Sequence, residues 1–190
     1  MQQVRLAGFG GQGIILAGHI LGKAATVYDG REAVLTQAYG PEARGGSCSA
    51  DVVISEEFID YPYFDHPEIL VIMSQEAYTK YAPTLAPGGT LIIDSGLVKA
   101  EGEGILRAPF SRLAEELGAR IAANIVMLGF LSEATGVVRH EALEEAVRTS
   151  VKEKFVALNM KALDAGYRSA NEIGAGTQAR EGRARMEGRP

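Results

Sequence analysis

Residues 4–25 read VRLAGFGGQGIILAGHILGKAA, and the change of pattern inside this stretch decides the fold class. Val4-Arg5-Leu6-Ala7 is a short strand, stopped by Gly8. From Gly13 onward, Ile14, Ala17, Gly18, Leu21, Ala24 and Ala25 recur three or four apart, which is one face of a helix. Gly18 and the alanines keep that face thin, so the helix can dock closely on a sheet. It should end near Asp29-Gly30. The unit is therefore strand, glycine turn, helix.

The same alternation continues downstream. Ala33–Gln37 reads as a second strand, and AYGPEARGG at 38–46 is a loop by its glycine and proline content. Ser49–Ser55 is a strand. Ile69–Met73 is an apolar run of strand length, so both its faces should be covered. A helix over Gln75–Leu85 takes Ser74 as N-cap, and a strand follows at Thr90–Asp94. A short edge strand falls near Ile105-Leu106. Helices are expected at Ser111–Leu117, capped by Ser111 and closed by Gly118, at Asn124–Thr135 and at His140–Arg148. Val151, Phe155, Leu158 and Ala162 mark a last helix ending near Gly166. Apolar strands alternating with helices define an α/β domain with a largely parallel sheet and a helical C-terminal part. There is no internal repeat and no second domain. The domain should span residues 1–173, with a flexible tail over 174–190, where periodicity is lost and Gly and Arg dominate.

Composition narrows the function classes. A chain of 190 residues and 20.2 kDa is one domain by length. It buries roughly 70% of its extended surface on folding, enough for a core without covalent staples. The single cysteine, Cys48, excludes an internal disulfide and an all-cysteine metal cluster and points to a reducing compartment. The net charge is −5, and the last 17 residues carry four Arg and two Glu, so the body is more acidic still. Such a body argues against nucleic acid as a partner. No apolar run reaches the length of a membrane span, and MQQVRLAGFGG has neither a basic nor a clean apolar signal region. A cytoplasmic location is expected.

Residues 8–13, Gly8-Phe9-Gly10-Gly11-Gln12-Gly13, satisfy GxGxxG between a strand and a helix. Gly8 permits the tight turn, Gly10 lets a ligand or a chain approach, and Gly13 lets the helix lie close to the sheet. Free N–H groups at the helix start favour a phosphate or carboxylate. A dinucleotide site wants an acid at the end of the second strand, but Thr36-Gln37 stands there, and Asp29 precedes the strand. No Lys-Ser/Thr pair opens the helix, so this is no Walker A loop. The turn serves a dinucleotide despite the missing acid, chain packing alone, or contact with a nonadenosine phosphate or a partner backbone. Gln12 either bonds a ligand at the helix mouth or fastens the 38–46 loop.

Tyr39-Gly40-Pro41-Glu42-Ala43-Arg44-Gly45-Gly46 is the second dense feature. It follows a strand's carboxyl end, where ligand crevices of open α/β sheets lie. Arg44 can hold a phosphate, a carboxylate or a partner's acid, or pair locally with Glu42. The chain shows little independent catalytic equipment. His19 falls off the apolar face of its helix and should meet solvent. His66 and His140 have no partner at metal-ligand spacing. Cys48 reads as a small hydrophobe at a strand start. Asp94 either faces a ligand or caps the turn at Ser95-Gly96. Tyr61, Tyr63 and Phe64 in EEFIDYPYFDHP pack either on the domain's own edge or on a partner. Asn124 is an N-cap or a partner contact.

GFGGQG followed by a helix and then TQAYGPEARGG resembles the gamma subunit of 2-oxoacid:ferredoxin oxidoreductases. VVIS, ILVIMSQEAY, GGTLIIDS and IAANIVMLG also fit that family, over about residues 3–165. The wording of both loops and of MSQEAY is most similar to the 2-oxoglutarate branch; pyruvate, branched-chain 2-oxoacid and indolepyruvate enzymes share the pattern. The resemblance implies a single Rossmann-like three-layer domain. It implies a complex that decarboxylates a 2-oxoacid on thiamine diphosphate with magnesium, passes electrons through 4Fe-4S clusters to ferredoxin, and transfers the acyl group to coenzyme A. It implies alpha, beta and delta-type subunits as partners and an isolated chain without activity, which can self-associate as a homodimer through the face its partners use. The positions it carries over are Gly8, Gly10, Gly11, Gln12 and Gly13, with Tyr39, Gly40, Glu42, Arg44, Gly45 and Gly46, as a cofactor-proximal surface or subunit contact. No catalytic residue and no metal ligand falls to this chain, in keeping with its one cysteine.

Overall fold

A computed structural model describes residues 1–40 and 46–175. Glu42, Arg44 and Gly45, the expected Glu42–Arg44 pair, and the tail beyond Ala175 lie outside the described residues. Among the described residues six strands form one sheet: β1 (Gln2–Phe9), β2 (Glu32–Tyr39), β3 (Ser47–Ser55), β4 (Ile69–Ile72), β5 (Thr90–Asp94) and β6 (Leu106–Ala108). Their order is β2-β3-β1-β4-β5-β6. β1, β4, β5 and β6 pair in parallel, whereas β3 runs against both of its neighbours. The expected α/β architecture is present, with a mixed rather than uniformly parallel sheet. The reason is that β2 pairs antiparallel with the next strand, β3, from Glu32 with Ser55 to Tyr39 with Cys48.

Among the described residues six α-helices flank the sheet: α1 (Ile14–Lys23), α2 (Gln75–Tyr81), α3 (Phe110–Glu116), α4 (Ala123–Thr135), α5 (His140–Arg148) and α6 (Glu153–Glu172). α1 widens at its end into a π turn over Ala24–Tyr28. The layers are unequal. α1, α3, α4, α5 and α6 build the larger core on one face, around Leu6, Ile20, Val71, Phe110 and Phe130. α2 covers the other face over Ala7, Leu70, Ile72 and Ile93. β4 and β5 are buried on both faces, as their unbroken apolar runs require. α1 lies as close to the sheet as its small residues allow. A Cβ on Gly18 would stand 2.7 Å from that of Ala50.

Four local expectations are corrected. Ser111 does not cap α3. Pro109 precedes the helix, and the carboxylate of Asp94 accepts from the Ser111 backbone N–H at 2.9 Å and from its hydroxyl at 2.6 Å. A fully buried strand-end acid supplies the cap from across the fold. Asp94 also accepts from Gly96 N–H at 2.9 Å, so its role is to hold the turn. Asn124 is not the N-cap of α4, because a 3-10 turn at Arg120–Ala122 starts the helix one residue earlier. The last helix runs past Gly166 to Glu172. Gly166 sits inside it because α4 crosses there at backbone contact: a Cβ would meet the Val126 carbonyl oxygen at 2.1 Å. Phe155 is exposed, and the buried stripe of α6 begins only at Ala162.

Candidate functional site

The glycine turn leaves the carboxyl end of β1, next to the end of β4. Phe9 closes it by accepting from Gln12 N–H at 3.1 Å. Gln12 then spans two strands. Its side-chain oxygen accepts from Phe9 N–H at 2.7 Å, and its amide nitrogen donates to the Met73 carbonyl at 2.8 Å. It therefore fastens the end of β1 to the end of β4, not to the 38–46 loop. Gly8 is required by this arrangement, since a Cβ there would lie 2.4 Å from the Gln12 side-chain oxygen.

Gly13 is the N-cap of α1 in the left-handed region, at φ 74°, which an L side chain rarely adopts. The Asn124 amide, from the start of α4, donates to the Gly13 carbonyl at 3.1 Å. A Cβ on Gly13 would meet that amide nitrogen at 2.4 Å. Two of the three motif glycines are thus explained by the chain's own amides packing on them. Asn124 lies 111 residues from Gly13, and its type and place at a helix start gave no sign of this contact.

The second loop meets the first. Gly10 N–H donates to the Gly46 carbonyl at 2.9 Å, and Gly40 N–H to the Ser47 carbonyl at 2.6 Å. β2 and β1 run in the same direction on either side of β3. Phe9 pairs with Ser47, and Tyr39 with Cys48. Both glycine segments consequently share one pole of the sheet. Gly10, Gly11 and Tyr39 are exposed there, and the Tyr39 hydroxyl donates to Gln37 at 2.7 Å. Beside them is a cleft of about 340 Å³, lined by Gly11, Gln12, Met73, Leu97, Ser111, Arg120, Ile121 and Ala123. Ile121 stands 80% exposed at its rim. Arg120 is also exposed and pairs with Glu115 at 3.4 Å. Neither was singled out by the sequence, because their 3-10 turn carries no periodicity.

The dinucleotide reading finds no support here. In that fold the second parallel strand lies beside the first. β3 occupies that place, so the end of β2 is one strand further out.

The remaining groups are buried, face solvent or have structural partners. Cys48 is buried, and burial pushes its thiol pKa up. His19 faces solvent as expected. A His66 ring nitrogen lies 3.1 Å from the Thr84 carbonyl oxygen. His140 pairs with Glu133 at 3.0 Å and stacks on Tyr167 at 4.0 Å. Burial, reinforced by Glu144, Glu133 and Glu141, raises the Tyr167 pKa. Asp29 bonds to Arg139 and to Arg31. Burial opposes its charge, but the two guanidiniums prevail and hold its pKa below the ordinary value of 3.8. Among the described residues no group of three or more His, Cys, Asp or Glu could hold a metal ion, and no helix is long and apolar enough to cross a membrane.

The described residues thus form an α/β domain with Gly10, Gly40 and Gly46 at one pole of the sheet and an open cleft beside the glycine turn. Residues 3–169 match the family model described as pyruvate ferredoxin/flavodoxin oxidoreductase. The chain is 51% identical over 175 residues to the 2-oxoglutarate synthase subunit KorC of Methanothermobacter marburgensis, covering 87% of this chain and 94% of that one. Its fold matches the keto/oxoacid ferredoxin oxidoreductase gamma subunit of Geobacter sulfurreducens with a TM-score of 0.80 and 41% identity, over 90% of this chain and 99% of that one. It also matches, with a TM-score of 0.79 and 27% identity, the 2-oxoglutarate:ferredoxin oxidoreductase of Magnetococcus marinus, whose structure has 2-oxoglutarate, coenzyme A and succinyl-CoA bound. There 90% of this chain corresponds to 31% of a longer polypeptide. The chain belongs to the pyruvate ferredoxin/flavodoxin oxidoreductase family, as a gamma-type chain of the multi-subunit 2-oxoacid:ferredoxin oxidoreductases.

Proposed function

We propose that this chain is the gamma subunit of a cytoplasmic 2-oxoglutarate:ferredoxin oxidoreductase, which converts the 2-oxoacid to acyl-CoA and CO2 and reduces ferredoxin. The observation that carries the reading is the Gly10–Gly46 hydrogen bond. It ties the glycine turn to Gly46, the last residue of the second family motif, at the carboxyl end of β1. The partners are alpha, beta and delta-type subunits. Thiamine diphosphate, magnesium and the 4Fe-4S clusters reside on them, because a 4Fe-4S cluster takes four thiolates and this chain has one, buried. The thiamine supplies the carbanion chemistry.

This chain's part is to wall the cavity. Gly10, Gly11 and Tyr39 are exposed toward it, whereas Gly8, Gln12 and Gly13 hold the turn in shape. Gly40 and Gly46 belong to the same pole, and Glu42, Arg44 and Gly45 are assigned with them to the cofactor-proximal contact. Arg44 is the group assigned to an anion, the phosphates or thioester region of coenzyme A. The first turn of α1 adds N–H groups without intrahelical acceptors. The complex purified through a tag on this chain is the test. It should contain the cluster-bearing and thiamine-binding subunits and reduce ferredoxin with 2-oxoglutarate and coenzyme A. A chain that emerges alone refutes the proposal. Arg44→Ala should leave assembly intact and raise the KM for coenzyme A. Unchanged turnover would make this a packing subunit without a cavity role.

A further inference from the structure

Residues 56–68, EEFIDYPYFDHPE, join β3 to β4 without regular structure. Ser55 pairs with the start of β2, and Ile54 with Gln2, so this segment lies at the amino end of β1. That is the pole opposite the glycine turn. Connections of this length are uncommon in compact domains and are usually either functional or disordered. This one is pinned. Arg5, held by Asp51 at 2.6 Å, donates to the Phe64 carbonyl at 3.3 Å and lies over the Phe64 ring at 5.2 Å. The Pro67 carbonyl accepts from Ala86 N–H at 3.0 Å, and Glu68 N–H donates to Gln3 at 3.0 Å.

From this fixed frame three aromatics point outward. Phe58 is 80% exposed, Tyr61 71% and Tyr63 61%. The two tyrosines meet edge to face at 5.4 Å. Phe64 alone of the aromatic group folds onto the domain's own edge. Rigid exposed aromatics lose little entropy on binding and are favoured interface anchors.

The charge around them has one sign. The segment holds Glu56, Glu57, Asp60, Asp65 and Glu68 and no Lys or Arg. Glu56 reaches Arg31 at 3.9 Å, and Glu68 accepts from Gln3 N–H. Among the described residues Glu57 and Asp60 have no ion-pair partner, whereas Asp65 acts on Arg5, which Asp51 holds directly. A second copy would bring the same acids against these, so like charge disfavours self-pairing here. The complement is a protein face with Lys or Arg around an apolar cleft.

We infer that residues 56–68 form a second docking surface, at the pole away from the glycine loops, for the basic face of another subunit of the complex. The inference rests on the proposed gamma-subunit role. It is tested on the complex purified through a tag on this chain, with the isolated chain as reference. Hydroxyl-radical oxidation of Phe58, Tyr61 and Tyr63 should fall about tenfold on assembly. Carbodiimide should couple Glu57, Asp60 or Asp65 to lysines of a different subunit. Equal oxidation in both states, with partners present, overturns this inference and leaves the gamma-subunit role standing. Isolation without partners overturns both. Coupling confined to a second copy of this chain also overturns it. The double variant Glu57→Lys/Asp60→Lys should keep the Tm of the isolated chain and weaken assembly about tenfold or more. Assembly at wild-type affinity contradicts the inference.

Discussion

Replacing Gly166 by alanine tests whether the α4–α6 crossing is set by backbone contact. A Cβ at 166 would stand 2.1 Å from the Val126 carbonyl oxygen, 2.7 Å from the Phe130 nitrogen and 3.0 Å from the Gly129 Cα. All three are main-chain atoms of a helix, so no side-chain rotation relieves them. Ordinary contact needs a separation near 3.3 Å, so the axes must part by roughly 1 Å. α4 cannot retreat freely, because Ala123–Ser132 and Ala134 are buried against the rest of the larger core. Overpacking of this kind costs about 1–3 kcal/mol or more. The better helix propensity of alanine returns about 1 kcal/mol. The expected net loss is about 2 kcal/mol, a fall in Tm of about 4–8 °C for a domain of this size. Circular dichroism of the isolated chain measures it. Gly22→Ala is the control, since nothing lies within 4 Å of its Cβ position; it should be neutral or stabilising by up to about 1 kcal/mol. A Gly166→Ala protein as stable as the wild type would refute the backbone-contact account.

Gln12→Leu removes the acceptor for Phe9 N–H and the donor to the Met73 carbonyl. It should lower stability by about 1–3 kcal/mol, read by urea unfolding, and loosen the glycine turn, read as faster amide exchange at 8–13. Asp29 binds its proton less readily folded than unfolded, so its contribution is complete above the ordinary carboxylate value of 3.8. That contribution fades as pH falls through its depressed pKa. Asp29→Asn should flatten the urea-midpoint profile below about pH 4 and lower the plateau at pH 7; an unchanged acid limb would remove Asp29 from the account. Cys48, buried with a raised thiol pKa, should react with a disulfide reagent only after unfolding. Stoichiometric labelling of the native chain within seconds would contradict this.

Most elements were legible because their signals are local. Ile69–Ile72 and Thr90–Asp94 read as buried strands from unbroken apolar runs, and Ser74 caps α2 by accepting from Ala77 N–H at 3.2 Å, as its position implies. His140–Arg148 is a helix with the expected bounds. Caps failed where the partner comes from elsewhere. Ser111 and Asn124 are N-cap residue types at helix starts, yet Asp94 serves one helix, and the Asn124 amide goes to Gly13. The end of α6 was misread at Gly166 because glycine marks both helix termini and close crossings, and one sequence gives no distance between helices.

By itself the sequence determined the α/β class, the strand–turn–helix unit, the two glycine loops and the lack of cluster-forming thiolates. These follow from residue type and spacing along the chain. Only the tertiary structure decided that β3 inserts between β1 and β2, that Gly10 and Gly46 bond, and that Gln12 and Asn124 fill the turn. It also decided that three aromatics stay outside at the far pole. Strand order, and the pairing of groups far apart in the chain, is set by which faces can be buried together, and nothing local encodes that choice.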